Sequence, residues 1–362
     1  MARAFTQPSF VRTLALTSLA IGALSAIDLF LARTEREANE AEAARFYANG
    51  SRLMQAGESA EAADQFQSAL SLERENEDYQ LALAQALDAA GKLEDAKTNL
   101  EALLAGNSFA GAANLAMARV LVKQGRVDRA ISYYHRAIYG QWRQGPRSNP
   151  VQVRLELVDL LSRRNSKEDL LAELLPLQDQ APDDPETRMK LGRWFLAAGS
   201  PGRAAPIFRV LLRQSPEKPD AYAGLGEAEF AQANYRLARS EFSAALQLRP
   251  GDDNLRSRLE LCDRVLAIDP LRNGLSAEEE YQRARNLLQL VLNNLNQCAG
   301  PASAEPTSKL MEAAAKELKK RGSTPNDIEL AERLWQMRKT ACGPAVAASD
   351  EALVLVMGKL MR

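Results

Sequence analysis

The sequence predicts an all-α protein: a solenoid of stacked helix-turn-helix repeats, followed by further helices that do not repeat. Ala, Leu, Glu, Arg and Gln dominate the composition, and aromatic residues make up 6% of the 362 residues, which favours helix over strand. No segment alternates apolar and polar residues with the period of two that a strand requires. Small and large residues also recur at a constant interval, the one that separates Gly57 from Gly91. Because repeat arrays grow by stacking, the length does not set a number of globular domains.

This interval is defined by turn glycines and by alternating small and large side chains. Shifting the sequence by one interval aligns Gly57, Gly91 and Gly125, then Ala62, Ala96 and Ala130, then Phe66, Leu100 and Tyr134. After an insertion at 145–150, the register resumes with Leu170, Ala204 and Ala238 at the small position and Leu174, Phe208 and Phe242 at the large position. Small residues let two helix axes approach closely, and large residues fill the gap that remains.

Residues 185–218 resemble the tetratricopeptide repeat (TPR) family most clearly. They carry Leu191, Gly192 and Phe195 in the first helix, and Ala204 and Phe208 in the second. Six such units are predicted, three in residues 43–144 and three in residues 151–252: 43–76, 77–110, 111–144, 151–184, 185–218 and 219–252. The resemblance implies a TPR superhelix whose first helices line a groove that binds other proteins.

The groove is expected to hold an extended or helical peptide from a protein partner. Spacing along the first helices predicts twelve peptide-binding residues: Tyr47, Ser51, Met54, Leu81, Gln85, Asp88, Leu115, Arg119, Val122, Met189, Arg193 and Leu196. Chaperone-binding TPR proteins hold a terminal carboxylate with paired Lys and Asn residues on these helices. Ser51 and Gln85 stand where Asn is expected, so the sequence does not support that clamp.

The fourth unit and the connection before it depart from the repeat pattern. Asn165 stands at the turn, Leu170 replaces a small residue, and Pro176 lies inside the second helix, so a bend is expected there. Trp142 lies in the longer connection of residues 139–150. We interpret Trp142 as packing over the seam between the third and fourth units, with partner recognition as the alternative.

The chain after the sixth unit predicts helices without a repeat. Residues 253–268 are expected to cap the array, because a solenoid needs a last helix over its exposed end. Within residues 271–362, Ser276 and Glu279 form the signature of a capping box that begins a helix extending to about residue 297. A linker at 300–306 precedes predicted helices at 307–321, 325–341 and 349–360. This region is either a cap packed on the array or a separate helical module.

The N-terminal segment, residues 1–34, predicts a membrane anchor or a signal peptide. Residues 13–32 are apolar except for Asp28, and a helix of that length spans about 30 Å, the thickness of a bilayer core. The alternatives are a signal peptide cleaved within residues 23–26 and a hydrophobic soluble terminus. Arg3 and Arg12 precede the apolar run, while acidic residues offset the basic ones after it. The remainder of the chain is therefore expected outside the cytoplasm.

The sequence contains no pattern that predicts an enzyme, a cofactor site or a metal site. His135 is the only histidine, so neither a histidine pair nor a zinc site is expected. With 46 basic and 47 acidic residues, the net charge of −1 provides no field for nucleic acid. Gly224 and Gly226 lie within a predicted helix and not in a phosphate-binding loop. No small-molecule substrate is expected.

The three cysteines lack metal-ligand spacing, but two of them suggest a disulfide. Cys298 and Cys342 each end a predicted helix, and an oxidising compartment would let them pair. Cys262 lies on the apolar side of the 253–268 helix and is expected to remain a buried thiol.

These observations predict an adaptor anchored at a bacterial inner membrane, with its bulk in the periplasm, that organises envelope or secretion proteins. A periplasmic or secreted protein results if the first segment is cleaved. The alternative functions are a non-catalytic accessory subunit of a membrane complex, an enzyme formed by the region from residue 271 onward, and an adaptor facing the cytoplasm.

Overall fold

The predicted all-α repeat fold is confirmed. The computed structural model describes residues 8–142, 150–164, 166–299, 305, 307–320, 326–342 and 351–361, and within these ranges the protein has 17 helices and one isolated β-bridge. Several predicted features lie outside the described residues: the charge of Arg3, the side chain of Arg12, the insertion at 145–149, the turn at Asn165, most of the linker at 300–306, and the helix starts at Pro325 and Ser349.

The chain divides into two compact units, Met1–Leu157 and Val158–Arg362. The first unit contains helices that pair as the repeat predicts: α1 (Pro8–Ala56) with α2 (Ser59–Leu72), α3 (Glu77–Ala89) with α4 (Leu93–Gly106), and α5 (Gly111–Lys123) with α6 (Val127–Ile138). The boundary between the units falls inside α7 (Pro150–Arg164).

The N-terminal helix contains two segments that were predicted as separate parts of the chain. The described part of the predicted anchor, residues 8–34, and the first repeat, from residue 43, belong to one uninterrupted helix, α1. The described side chains before Ala43 are exposed or half-buried, and Ala43 is the first one that is fully buried. A Cβ atom at Gly50 would lie 2.7 Å from Cε1 of Phe66, so glycine permits the close approach of α1 and α2.

The turn between the two helices of a repeat requires a left-handed backbone. Gly57, Gly91, Gly125 and Gly199 have φ between +70° and +83°, and Ala233 takes the same position in the sixth repeat with φ of 61°. Glycine reaches this conformation without the steric cost that other residues incur. The aligned glycines are therefore explained by backbone conformation.

We expect Gly91→Ala to lower the free energy of unfolding by about 1–2 kcal/mol, the usual cost of placing an L-residue in this conformation. No atom lies within 4 Å of the added Cβ, so only the backbone contributes to this cost. Gly106→Ala is the matched control, because its Cβ also meets nothing and its backbone is helical. Urea denaturation followed by circular dichroism measures both. Equal midpoints for the two variants would contradict the explanation.

The second unit continues the helix pairs through the sixth repeat. Its pairs are α9 (Pro185–Ala197) with α10 (Pro201–Gln214), and α11 (Pro219–Ala231) with α12 (Tyr235–Leu248), preceded by α8 (Lys167–Gln180). α8 continues past Pro176, and Leu170, at the position where a small residue was expected, is fully buried. The bend at the fourth repeat stays a prediction.

Phe208 explains why small residues recur on the first helices of this unit. Its ring is fully buried between Gly192 of α9 and Gly224 of α11. A Cβ at Gly192 would lie 2.5 Å from Cζ of Phe208, and one at Gly224 would overlap the same ring. One aromatic side chain therefore packs against two successive first helices.

The helices after the sixth repeat share a hydrophobic core with it. They are α13 (Asp253–Ile268), α14 (Ala277–Ala299), α15 (Thr307–Glu317), α16 (Asn326–Cys342) and α17 (Glu351–Leu360). One buried cluster extends from Tyr235 of α12 through Val265 of α13 to Trp335 and Met357. Lys359 Nζ also lies 2.6 Å from Oδ2 of Asp269. These contacts join α12 and α13 to the helices that follow them.

Two predicted helix starts have the expected hydrogen bonds. Ser276 N donates to Glu279 Oε2 at 2.8 Å, and Glu279 N donates to Ser276 Oγ at 3.3 Å, which confirms the capping box. The carboxylate of Asp252 accepts hydrogen bonds from the amides of Asn254 and Leu255 at the start of α13. These bonds, the one from Leu255 first, lower the pKa of Asp252.

The three cysteines occupy two kinds of environment. Cys298 is the next-to-last residue of α14, and Cys342 is the last residue of α16. Their Cα atoms are 5.9 Å apart, and their sulfur atoms are at bonding distance. Cys262 is buried on α13, and burial raises the pKa of its thiol to about 12. Since the thiolate is the reactive form, Cys262 is expected to resist oxidation and alkylation.

Candidate peptide-binding face

The candidate site consists of the exposed and half-buried side chains of the first helices, which we call the first-helix face. In the first unit it comprises α1 from Ala43, α3, α5 and α7 up to Leu157. In the second unit it comprises α9, α11 and α13. Nine of the twelve predicted residues lie in the first unit and three in the second. Gln85, Arg119 and Arg193 are exposed, and the other nine are half-buried: Tyr47, Ser51, Met54, Leu81, Asp88, Leu115, Val122, Met189 and Leu196.

Tyr47 contributes packing at the start of this face. Its ring stacks on Tyr79 of α3 with centroids 5.0 Å apart, and lies 5.5 Å from the ring of Phe66. Burial, followed by the nearby carboxylate of Glu73, raises the pKa of Tyr79. The sequence analysis did not single out Tyr79, although it is the partner that holds Tyr47 in place.

Ion pairs connect successive first helices in the first unit. Lys123 Nζ of α5 lies 2.8 Å from Oδ1 of Asp88 on α3. Arg119 donates two hydrogen bonds to Glu156 of α7, from Nε at 3.0 Å and from Nη2 at 2.5 Å. The bond to Glu156 is the main reason that the pKa of Arg119 is raised. A bidentate guanidinium-carboxylate pair has a fixed geometry, which a single contact of a lysine lacks.

Equivalent ion pairs occur in the second unit. Arg193 of α9 lies 3.7 Å from Asp220 of α11. Arg258 of α13 donates to both carboxylate oxygens of Glu227 on α11, each at 2.7 Å, and its guanidinium lies 4.9 Å from the ring centroid of Phe230. Every one of these pairs joins a first helix to the next first helix within its unit.

The Arg119–Glu156 pair and the Glu227–Arg258 pair occupy equivalent positions in different repeats, with the acid and the base exchanged. Arg119 and Glu156 are 37 residues apart, and Glu227 and Arg258 are 31 apart. Removing the six inserted residues from the first separation leaves 31. The acid and the base have therefore exchanged places between equivalent positions, while the link between the helices is kept.

The predicted residues Asp88, Arg119 and Arg193 thus have partners on a neighbouring helix. Their partners, which sequence reasoning missed, are Lys123, Glu156 and Asp220, and the pair of Glu227 with Arg258 was also missed. Glu227 follows Arg193 by one full repeat, so the repeat register contained a signal for it. Exposed pairs of this kind contribute about 0.2–1 kcal/mol each. These ion pairs therefore determine where charges lie on the first-helix face and contribute little to the stability of the fold.

Apolar and amide side chains lie on the same helices as these ion pairs. Leu81, Leu115 and Val122 are half-buried, and the Gln85 side chain is exposed. His135 lies apart from this face, half-buried on α6. In the described part of the chain, no cluster of three His, Cys, Asp or Glu side chains could hold a metal ion. The arrangement suits hydrogen bonding and apolar contact with a polypeptide.

Trp142 packs on the third repeat itself. Its indole nitrogen donates to the carbonyl oxygen of Ala137 at 2.8 Å, and its ring lies where a Cβ of Gly111 would be. The chain around it is held by Gly111 N donating to Gln141 O at 2.8 Å, and by Gln141 N donating to Phe109 O at 2.7 Å. These contacts anchor Trp142 to the ends of α5 and α6.

The fold and the face define a helical repeat protein of the protein-binding class. Models of the tetratricopeptide repeat match residues 47–96, 81–148 and 195–259. The matched residues are similar to tetratricopeptide repeats. The stretch between the matches contains the fourth repeat, with Leu170 and Pro176 at its irregular positions. Comparison with curated protein sequences gives no match.

Several solved TPR structures are similar to this chain. YrrB, a TPR protein with an unusual peptide-binding site, is 20% identical, with 55% of this chain and 98% of that chain covered and a TM-score of 0.46. The C-terminal part of a TPR repeat-containing protein from Cytophaga hutchinsonii is 14% identical, with 74% and 98% covered and a TM-score of 0.47. PilW, a widely conserved type IV pilus biogenesis factor, is 16% identical, with 60% and 98% covered and a TM-score of 0.42.

Proposed function

We propose that this protein is a membrane-anchored interaction scaffold that faces outward from a bacterial inner membrane and binds peptide or helical segments of envelope proteins on its first-helix face. The observation that carries the proposal is the TPR array, whose first helices present apolar and amide side chains between fixed ion pairs. Peptide recognition by such a surface uses several shallow contacts along one polypeptide. The scaffold supplies no chemistry of its own.

The apolar half of α1 supports the anchor. Its large hydrophobic side chains from Leu14 to Leu31 are 54–73% exposed, and α1 is long and apolar enough to cross a membrane. A continuous apolar surface of this kind is unfavourable in water and suits lipid. Asp28 lies within about a turn of the far end, where a carboxylate reaches the headgroup region.

The charge distribution around this segment supports the outward orientation. Arg3 and Arg12 precede it, and cytoplasmic flanks carry the excess of basic residues. After it, acidic residues offset the basic ones: Glu35, Glu37, Glu40 and Glu42 against Arg33, Arg36 and Arg45. The same orientation follows if the segment is a signal peptide. The size of the mature chain and its membrane association separate the two.

Protease access in spheroplasts tests the anchor. We expect the full chain, expressed in a bacterial cell, to fractionate with membranes, to retain its full length, and to be digested after Arg33 by protease added outside. A variant lacking residues 8–32 is expected in the soluble fraction. A shortened soluble product would replace the anchor by a cleaved signal peptide. Full-length protein protected from protease would overturn the orientation.

Site-specific photo-cross-linking tests the binding face. A photoreactive residue at Gln85, exposed on α3, is expected to give discrete cross-linked products with envelope proteins. The same residue at Gln67, exposed on the second helix α2, is the matched control and is expected to give none of these products. Equal products from both positions would contradict binding on the first-helix face. Co-purification of a fixed stoichiometric partner would favour an accessory subunit over a free-standing scaffold.

A further inference from the structure

A second candidate binding site lies at the C-terminal end of the array. A cavity of about 380 Å³ is formed by the first turn of α12, the loop after α13 and the end of α17. Three cationic side chains line it: Arg236, Arg272 and Lys359. Its volume is at the lower end of the range for ligand pockets, about 300–1,000 Å³, so it suits a short segment and not a folded surface.

The two arginines of this cavity are available to a ligand. Neither guanidinium group of Arg236 and Arg272 forms an ion pair or a hydrogen bond within the described part of the chain. By contrast, Arg239, one turn along the same helix, pairs with Asp263. Arg209 likewise pairs with Glu229. Arg236 and Arg272, which are not paired in this way, line the same cavity.

The third cation has one partner, and the cavity keeps a net positive charge. Lys359 Nζ lies 2.6 Å from Oδ2 of Asp269, which is 1% exposed. The other oxygen of Asp269 accepts a hydrogen bond from Leu271 N at 3.0 Å. Because this carboxylate is engaged by the protein, it offsets one of the three cations that line the cavity; Glu279, which interacts electrostatically with Arg272, lies outside the lining. Convergent positive charge with low-dielectric walls attracts anions.

Exposed leucines accompany the cations in the lining of the cavity. Leu237 and Leu271 line it and are 44% and 54% exposed. Asn234 and Asn273 also line the cavity. A cationic site beside exposed leucines matches an anion attached to an apolar side chain. Guanidinium groups bind carboxylates through paired hydrogen bonds.

We propose that this cavity binds the C-terminal carboxylate of a polypeptide that ends in an apolar residue. The carboxylate pairs with Arg236 and Arg272, and the last side chain contacts Leu237 and Leu271. The site would hold a partner's terminus while the first-helix face holds an internal segment. It does not depend on membrane topology, so its failure and that of the anchor are distinguishable.

Binding of short peptides to the full chain in detergent tests this proposal. The probes are fluorescent tripeptides ending in Leu, Ile, Val, Phe or Met, each as the free acid and as the amide. Fluorescence anisotropy is expected to show binding of at least one acid and at least tenfold weaker binding of its amide. The double variant Arg236→Gln/Arg272→Gln is expected to bind that acid at least tenfold more weakly. Arg264→Gln on α13 is the matched charge control and should bind as the wild type does.

Three outcomes would overturn the assignment. They are the absence of binding by every acid, equal binding of acids and amides, and displacement of the peptide by millimolar inorganic phosphate. The last would identify a general anion site. Circular dichroism establishes that the double variant is folded, and Arg236→Lys/Arg272→Lys gives a second measurement. The lysine variant keeps the positive charges but lacks the planar guanidinium groups. Its affinity for the peptide is expected to lie between that of the wild type and that of the glutamine variant.

Discussion

Phe208→Ala is expected to lower the free energy of unfolding of the second unit by about 3–5 kcal/mol, the usual cost of emptying a fully buried phenylalanine site. Phe208 is 0% exposed and lies between Gly192 and Gly224. Because Gly192 and Gly224 are glycines, neither has a side chain that could move into the space. The loss also separates two successive repeats, since the ring contacts α9 and α11 together. We therefore expect a cost near the upper end of the range.

Urea denaturation of the purified chain, followed by circular dichroism, measures this effect. Phe109→Ala makes the same chemical change at a side chain that is 66% exposed, and it is expected to alter stability by less than about 0.5 kcal/mol. A cost below about 1.5 kcal/mol for Phe208→Ala would mean that the two repeats close around the cavity, which would contradict the role given to the glycines.

Loss of the proposed Cys298–Cys342 disulfide is expected to have the second largest effect. The two residues close a loop with a sequence separation of 44, for which the chain-entropy relation gives about 4 kcal/mol of stabilisation as an upper figure. The bond links α14 to α16, the two longest helices of the cap. We expect Cys298→Ala/Cys342→Ala to destabilise the cap by about 2–4 kcal/mol.

Reduction provides the control for this prediction. Dithiothreitol should lower the unfolding midpoint of the wild-type chain to that of the double variant, and it should not change the variant itself. Cys262 is buried in both proteins, so it is not expected to respond. Alkylation of the unreduced native chain should label none of the three cysteines. Labelling of Cys298 or Cys342 would show that the bond is absent in the compartment from which the protein was purified.

Local features of the fold were predictable because each depends on a few neighbouring residues. The helix pairs follow from small and large residues at the repeat spacing, and the turn glycines follow from the left-handed backbone that their φ values show. The capping box at Ser276 and Glu279 needs only residues three apart. Where these local signals weaken, as at Leu170 and Pro176, the family models also fail to match.

The candidate site was only partly predictable. Equivalent positions on the first helices could be counted from the repeat, so Asp88, Arg119 and Arg193 were found. Their pairing could not, because a partner on another helix depends on the offset between successive helices. The sequence places Arg119 on a face, but only the packing of α5 against its neighbours brings Glu156 to its guanidinium.

The sequence by itself determined the repeat, its turns and the apolar segment at the N-terminus, since periodicity and composition act over short distances along the chain. Tertiary structure decided how these parts join. It made the apolar segment and the first repeat one helix, enclosed Phe208 between two glycines of different repeats, and brought Lys359 to Asp269 across 90 residues. The physical reason is that these contacts form only when helices distant in the sequence approach each other. That approach is selected by how whole side chains pack together, and the pattern of residue types along one helix does not specify it.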